Sequence, residues 1–352
     1  MNFTRTNYDK SDMVLFGGIV FSAIFTLVIW ISGFALDRFI LEPDQGPAWY
    51  YWQLPNPVLI NQLILWVLYL AHQLTVWGLI YYGYQQYKTT GKKPTTNLTT
   101  YNILIIIANV FFIFLHLIET QLFYDGLAQD VPIWTSQGSV IIMLAVMLIL
   151  ENKRRGYVFG KQVGKPITKE VVEFFRFGHM YIFAWALVYT FWFHPMDNDP
   201  QLLTGFFYMF LLFTQLSVAF TKSHLNRKWT ALLEGFVAFH AVVVAINNTL
   251  SFGSSDMWPM FLSGFLFMVV ATYIYGIRLK KRTILTISFV YIIFLIWIYI
   301  PVPLGYGRDI TYLFRLEALW IPIILYLLGL LFATIIFTIQ KVKKGRKIES
   351  VS

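Results

Sequence analysis

Residues 318–347 read ALWIPIILYLLGLLFATIIFTIQKVKKGRK. A helix rises 1.5 Å per residue, so about 20 apolar residues cross a bilayer core of about 30 Å. The run 318–340 supplies that length without a charge and then ends in Lys341, Lys343, Lys344, Arg346 and Lys347. Basic residues are held on the cytoplasmic side of a membrane, so the stretch predicts a last spanning helix that runs inward, and a basic cytoplasmic tail over 341–352.

The pattern repeats upstream. Apolar segments run over 13–35, 58–84, 102–122, 133–150, 171–193, 203–221, 229–249, 258–276 and 284–300. When the connections are taken alternately, 24 of the 27 Lys and Arg fall on one side, and Arg38, Arg308 and Arg315 alone fall on the other. The expected architecture is an all-α integral membrane protein, a bundle of about ten transmembrane helices with both termini cytoplasmic, forming a single polytopic domain over 1–352 in a plasma membrane. Segment 13–35 reads as the first anchor and not as a cleavable leader, because Asp9 and Asp12 stand where a basic flank would be.

Composition agrees. The chain is 57% hydrophobic and 13% charged, which excludes a water-soluble fold of this length. The net charge of +9 sits at helix ends, where it meets anionic inner-leaflet lipid, and this distribution excludes nucleic acid as the partner. With no cysteine there is no disulfide and no thiolate ligand. The outer connections are acidic, carrying Asp37, Glu42, Asp44, Asp125, Asp130, Asp197, Asp199, Asp256 and Asp309. The first of them also holds Trp49, Tyr50, Tyr51 and Trp52, an aromatic element suited to the interface. The second ends in Thr135 and Ser136, which read as N-caps of the fourth helix.

The topology gives each polar residue a depth. His72 falls at the centre of its segment, His240 within about 2 Å of centre, His116 about 6 Å outward and His179 about 4.5 Å inward. Helical spacing sets Asn109, His116 and Glu119 on one face, and Glu173, Arg176 and His179 on another. Ionisable groups inside a membrane cost several kcal/mol unless paired, so His116 with Glu119, and Glu234 on the seventh segment, mark functional positions.

Three functions compete. The first is a haem- or metal-binding redox or sensing protein. Here His72, His116, His179 and His240 are the candidate ligands of a transition metal, and His72 with His240 those of a haem b iron. Arg308 and Arg315 would meet the propionates. The second is a membrane-embedded enzyme acting on a lipid-like substrate by metal or acid–base chemistry, with Glu119 and Glu234 as catalytic carboxylates. The third, placed last because small residues, mid-helix prolines and internal repeats are scarce, is a proton-coupled small-molecule transporter with a proton path through His and Glu. In the first reading Glu119 is a further ligand or a proton acceptor, toward which Asp125 and Asp130 draw cations or protons. For any one histidine the plainer alternative is a bond to a carbonyl or hydroxyl of a neighbouring helix.

Overall fold

The computed structural model describes residues 9–43, 51–252 and 256–349. Trp49 and Tyr50 of the expected interfacial element, and the outer carboxylate Asp44, lie outside them, whereas Tyr51 and Trp52 are described and buried. The secondary structure is helical: α1 (Lys10–Gly33), α2 (Leu59–Thr89), α3 (Thr100–Phe123), α4 (Ile133–Arg155), α5 (Lys169–Phe193), α6 (Pro200–Ser217), α7 (Arg227–Phe252), α8 (Trp258–Ala271), α9 (Lys281–Tyr299), the single turn α10 (Thr311–Phe314) and α11 (Trp320–Glu349). Among the described residues, nine helices are long and apolar enough to cross a membrane. The expected tenth segment is α6, which has 18 residues, carries polar residues at both ends and is largely buried by protein. The long helices turn Phe16, Leu27, Leu63, Val67, Ile107, Ile118 and Leu331 outward, a surface that suits lipid and not water.

The chain divides into two compact units. The first comprises Met1–Val140 and Met180–Leu233, the second Ile141–His179 and Glu234–Ser352. In the first unit α1 packs on α6, α2 on α3 and α3 on α6. Burial of apolar area does not drive helices together in lipid, so close approach and interhelical hydrogen bonds carry the association. Both are present. Gly18 lets α1 come so near α6 that any Cβ there would collide with the Thr214 side chain. Asn102, in the first turn of α3, accepts from the Thr99 backbone N–H at 2.8 Å and donates to the carbonyls of Ser217 (2.8 Å), the last residue of α6, and Ala219 (3.0 Å) just beyond it. One side chain thereby caps two helix ends. Asp199 caps the other end of α6 by accepting from the Gln201 N–H at 2.7 Å, with Pro200 in the first turn where its missing N–H costs nothing.

In the second unit α8 packs against α9 and α11. Tyr157, beyond the end of α4, donates to the Tyr326 carbonyl at 2.7 Å, and Thr272 donates to the Tyr157 carbonyl at 3.1 Å.

The fourth helix starts earlier than its cap signal predicts. Ile133 opens it, and Thr135 lies inside the first turn, donating to the Pro132 carbonyl at 2.6 Å and sitting 2.8 Å from the Tyr189 hydroxyl. Pro132, immediately before the helix, accepts from the Thr135 N–H at 3.0 Å, which closes the first turn.

A buried acid–imidazole cluster in the first unit

α3 ends at Phe123, where Tyr124 takes a left-handed conformation (φ 52°) and turns the chain back over the helix. The following loop is unusual because it is buried: Tyr124, Asp125, Gly126, Leu127 and Ala128 have almost no exposed surface. Polar bonds hold it in place. Tyr124 donates to Asp197 at 2.6 Å, Gln53 donates to the Ala128 carbonyl at 2.6 Å, and the Leu54 N–H donates to Gln129 at 3.1 Å. Asp130 accepts from Gln62 (2.5 Å) and from the Trp66 indole (2.6 Å). Gly126 is required by contact, since a Cβ there would lie 2.7 Å from the Phe193 carbonyl oxygen.

Beneath this loop lie His116 and Glu119, both buried. His116 Nε2 stands 2.8 Å from the His194 carbonyl oxygen, which only accepts, so Nε2 carries a proton and donates. Its Nδ1 stands 3.1 Å from Glu119 Oε2, so one proton is shared on that axis. Either a neutral carboxyl donates to the imidazole or an imidazolium donates to the carboxylate. The C-terminal end of α3 lies one turn away. Arg38 donates to the Gln121 carbonyl at that same helix end, and this accounts for a basic residue outside the main cationic set.

Two oxygens of the cluster have no hydrogen-bond donor: Glu119 Oε1 and Asp125 Oδ2. Asp125 Oδ1 accepts from the Gly126 N–H at 2.9 Å. Burial pushes the Asp125 carboxyl up to about 7, the neighbouring Glu119 carboxyl adds to the rise, and the Gly126 N–H opposes it. His194 is pushed down to about 4 by burial, while its bond to the Thr190 carbonyl (3.0 Å) works the other way. Burial also raises Asp197, against the bond from Tyr124.

His72 forms a separate node. The Trp192 indole donates to its Nδ1 at 3.1 Å, which makes Nδ1 the acceptor and leaves Nε2–H to donate to Asn109 Oδ1 at 3.2 Å. Asn109 reaches Ser217 at 3.5 Å, and Ser217 donates to the Phe213 carbonyl at 2.8 Å. The imidazole is stacked between Phe112 (4.3 Å between centroids) and Phe213 (5.6 Å). Phe191 and Trp192 contact both His72 and His116, so one aromatic wall serves the two histidines.

The remaining sequence candidates are distributed differently. His179 and His240 belong to the second unit, where His179 Nδ1 donates to the Arg176 carbonyl at 2.7 Å and His240 is half-buried. Glu234 is the acceptor of Arg155, whose guanidinium also covers the Tyr273 ring at 4.5 Å. Arg308 donates to Glu317 and to the Asp256 carbonyl (2.7 Å) and lies 4.0 Å from the centroid of Tyr312. Arg315 is exposed beside the same ring. Arg308 is thus held by Glu317 of its own loop and by Asp256 ahead of α8. Among the described residues no three His, Asp or Glu converge to hold a metal ion.

Sequence reasoning missed Arg155 and the burial of Asp125. Arg155 counted only as a cytoplasmic charge, although Gly156, directly after it, signalled a helix end where a cation is favoured. The signal at Asp125 was the pair Asp125–Gly126 directly after the helix, which reads as a tight turn. Compared with protein-family models, with curated proteins and with solved structures, the chain matches none of them.

Proposed function

We propose that this multi-pass membrane protein takes up and releases a proton at the His116–Glu119–Asp125 cluster, and that it does so as a proton-coupled transporter of a small molecule. The observation that carries this reading is the pair of buried carboxylate oxygens without donors, Glu119 Oε1 and Asp125 Oδ2. A buried carboxylate with one oxygen unsatisfied is penalised in its ionised form more than in its protonated form. The covering loop therefore sets the proton occupancy: closed, the cluster holds its protons, and lifted toward water it releases them. A transporter needs such a coupling between conformation and charge.

With the basic connections in the cytoplasm, both termini are cytoplasmic, the basic ends face anionic inner-leaflet lipid and the cluster opens to the outer side of the plasma membrane. Haem or metal ligation by His72 and His116 ranks lower. Each imidazole has both ring nitrogens in hydrogen bonds, so ligation would require Trp192, Asn109 or Glu119 to be displaced. Acid–base catalysis on a lipid-like substrate would use the same cluster and is distinguished by its product.

Proteoliposomes loaded with a pH-sensitive dye test the proposal. Under an imposed pH gradient the parent chain should carry protons faster than empty vesicles, and Glu119→Gln and Asp125→Asn should each fall to the empty-vesicle rate. Equal rates for all three proteins would refute it, and a Soret band in the purified chain would restore the haem reading.

A further inference from the structure

Gln73 lies one residue past His72, at mid-helix in α2, and is buried with neither amide atom hydrogen-bonded. Two unsatisfied groups on one side chain are costly where no water reaches them. In a helix that crosses lipid there is no other solvent to relieve them. Gln62, Trp66, Tyr69 and Gln73 follow one another at spacings of four, three and four, so they form a single row down one face of α2.

The partners of this row identify what it faces. At its upper end Gln62 and Trp66 donate to Asp130, which is exposed. Tyr69 stacks edge-on with Tyr189 of α5 at 5.8 Å and lies in hydrogen-bond reach of the Trp185 indole, and Tyr189 meets Thr135 at 2.8 Å. One turn below Gln73, the Trp77 indole donates to the Tyr181 carbonyl at 3.1 Å. Gln73 sits between Tyr69 and Trp77 on this edge, and both of those residues are matched to α5. Its amide therefore belongs to a seam between α2 and α5, lined by hydroxyl, indole and amide groups from the surface to mid-depth.

We infer that this seam binds a file of water running from Asp130 to Gln73. A buried water is stable where it finds two to four polar partners. The Gln73 amide and the hydroxyls of Tyr69 and Tyr189 offer both donors and acceptors. The ligand is water, an uncharged molecule that donates and accepts, and the seam is a second polar entry distinct from the acid cluster. Its failure and the failure of the proton-coupling proposal are separable, because neither Glu119 nor Asp125 lines it.

The chain contains no cysteine, so single-cysteine labelling needs no altered background. Thiols react as thiolates, which require water. Gln73→Cys and Tyr69→Cys in the full chain in vesicles should react with a small charged methanethiosulfonate reagent about tenfold or more faster than Leu74→Cys, whose position is 63% exposed on the lipid side. Rates equal to that of Leu74→Cys would overturn the inference. Should the cysteine variants fail to fold, hydroxyl-radical footprinting of the unaltered chain decides: Tyr69, Tyr189 and Trp185 should be oxidised well above Phe206 and Phe210 of the dry core. Equal oxidation of the two sets would overturn it.

Discussion

Replacing Asp125 with Asn should make stability rise more with pH, or fall less, than it does in the parent chain, and replacing His194 with Gln should do the reverse. Burial holds the Asp125 carboxyl at about 7 against an ordinary 3.8, with Glu119 adding to the rise. Between those values the folded chain keeps a proton that the unfolded chain has lost, so stability falls as pH rises through that window. His194 behaves oppositely. Burial holds it at about 4 against an ordinary 6.5, so between those values the unfolded chain binds a proton that the folded chain refuses, and stability rises with pH. At about 1.4 kcal/mol per pH unit, the interval from about pH 5 to about 6.5 gives each residue about 2 kcal/mol, with opposite signs. The two contributions oppose each other, and Asp197, which burial also raises, acts in the same direction as Asp125. Relative to the parent, Asp125→Asn should gain about 2 kcal/mol across the interval and His194→Gln should lose about the same. Unfolding in lipid nanodiscs at a series of pH values measures both slopes. A parent-like profile in Asp125→Asn would refute the reasoning, because it would mean that the carboxyl ionises in the folded chain as it does in water.

Further consequences follow from single contacts. Trp192→Phe removes the donor to His72 Nδ1 while keeping the aromatic wall, and should cost about 1–3 kcal/mol in chemical unfolding. Arg155→Met and Glu234→Gln should each destabilise by about 3–5 kcal/mol, since each leaves a buried partner uncompensated, and the double variant should recover much of that loss in a double-mutant cycle. Gly126→Ala should displace the covering loop through its clash with the Phe193 carbonyl, seen as proteolysis between Tyr124 and Asp130 that the parent resists.

The fold was legible because lipid imposes two rules that leave marks in one dimension. Spanning helices must be long and apolar, and they end where charge begins; the run 318–347 shows both. α6 is the informative exception. It is packed against α1 and α3, so protein and not lipid surrounds much of it, and it tolerates Thr204, Thr214 and Gln215 where a lipid-facing helix would not. The pairing of His116 with Glu119 was legible because both lie on one helix at a spacing of three. What joins them was not, since Asp125 reaches the cluster by a reversal of the chain at Tyr124 that helical periodicity does not encode. His72 and His240 were matched on depth, and depth along a helix carries no information about neighbours in the plane of the membrane. Trp192 and Asn109, the actual partners of His72, come from two other helices.

The most direct test is infrared spectroscopy of the chain in lipid at neutral pH, reading the carbonyl stretch of protonated carboxylic acids. The account predicts a band from buried, protonated carboxyl groups that weakens in Glu119→Gln, weakens in Asp125→Asn and is lost in the double variant. A parent spectrum with no protonated-acid band, or one that both substitutions leave unchanged, would contradict it.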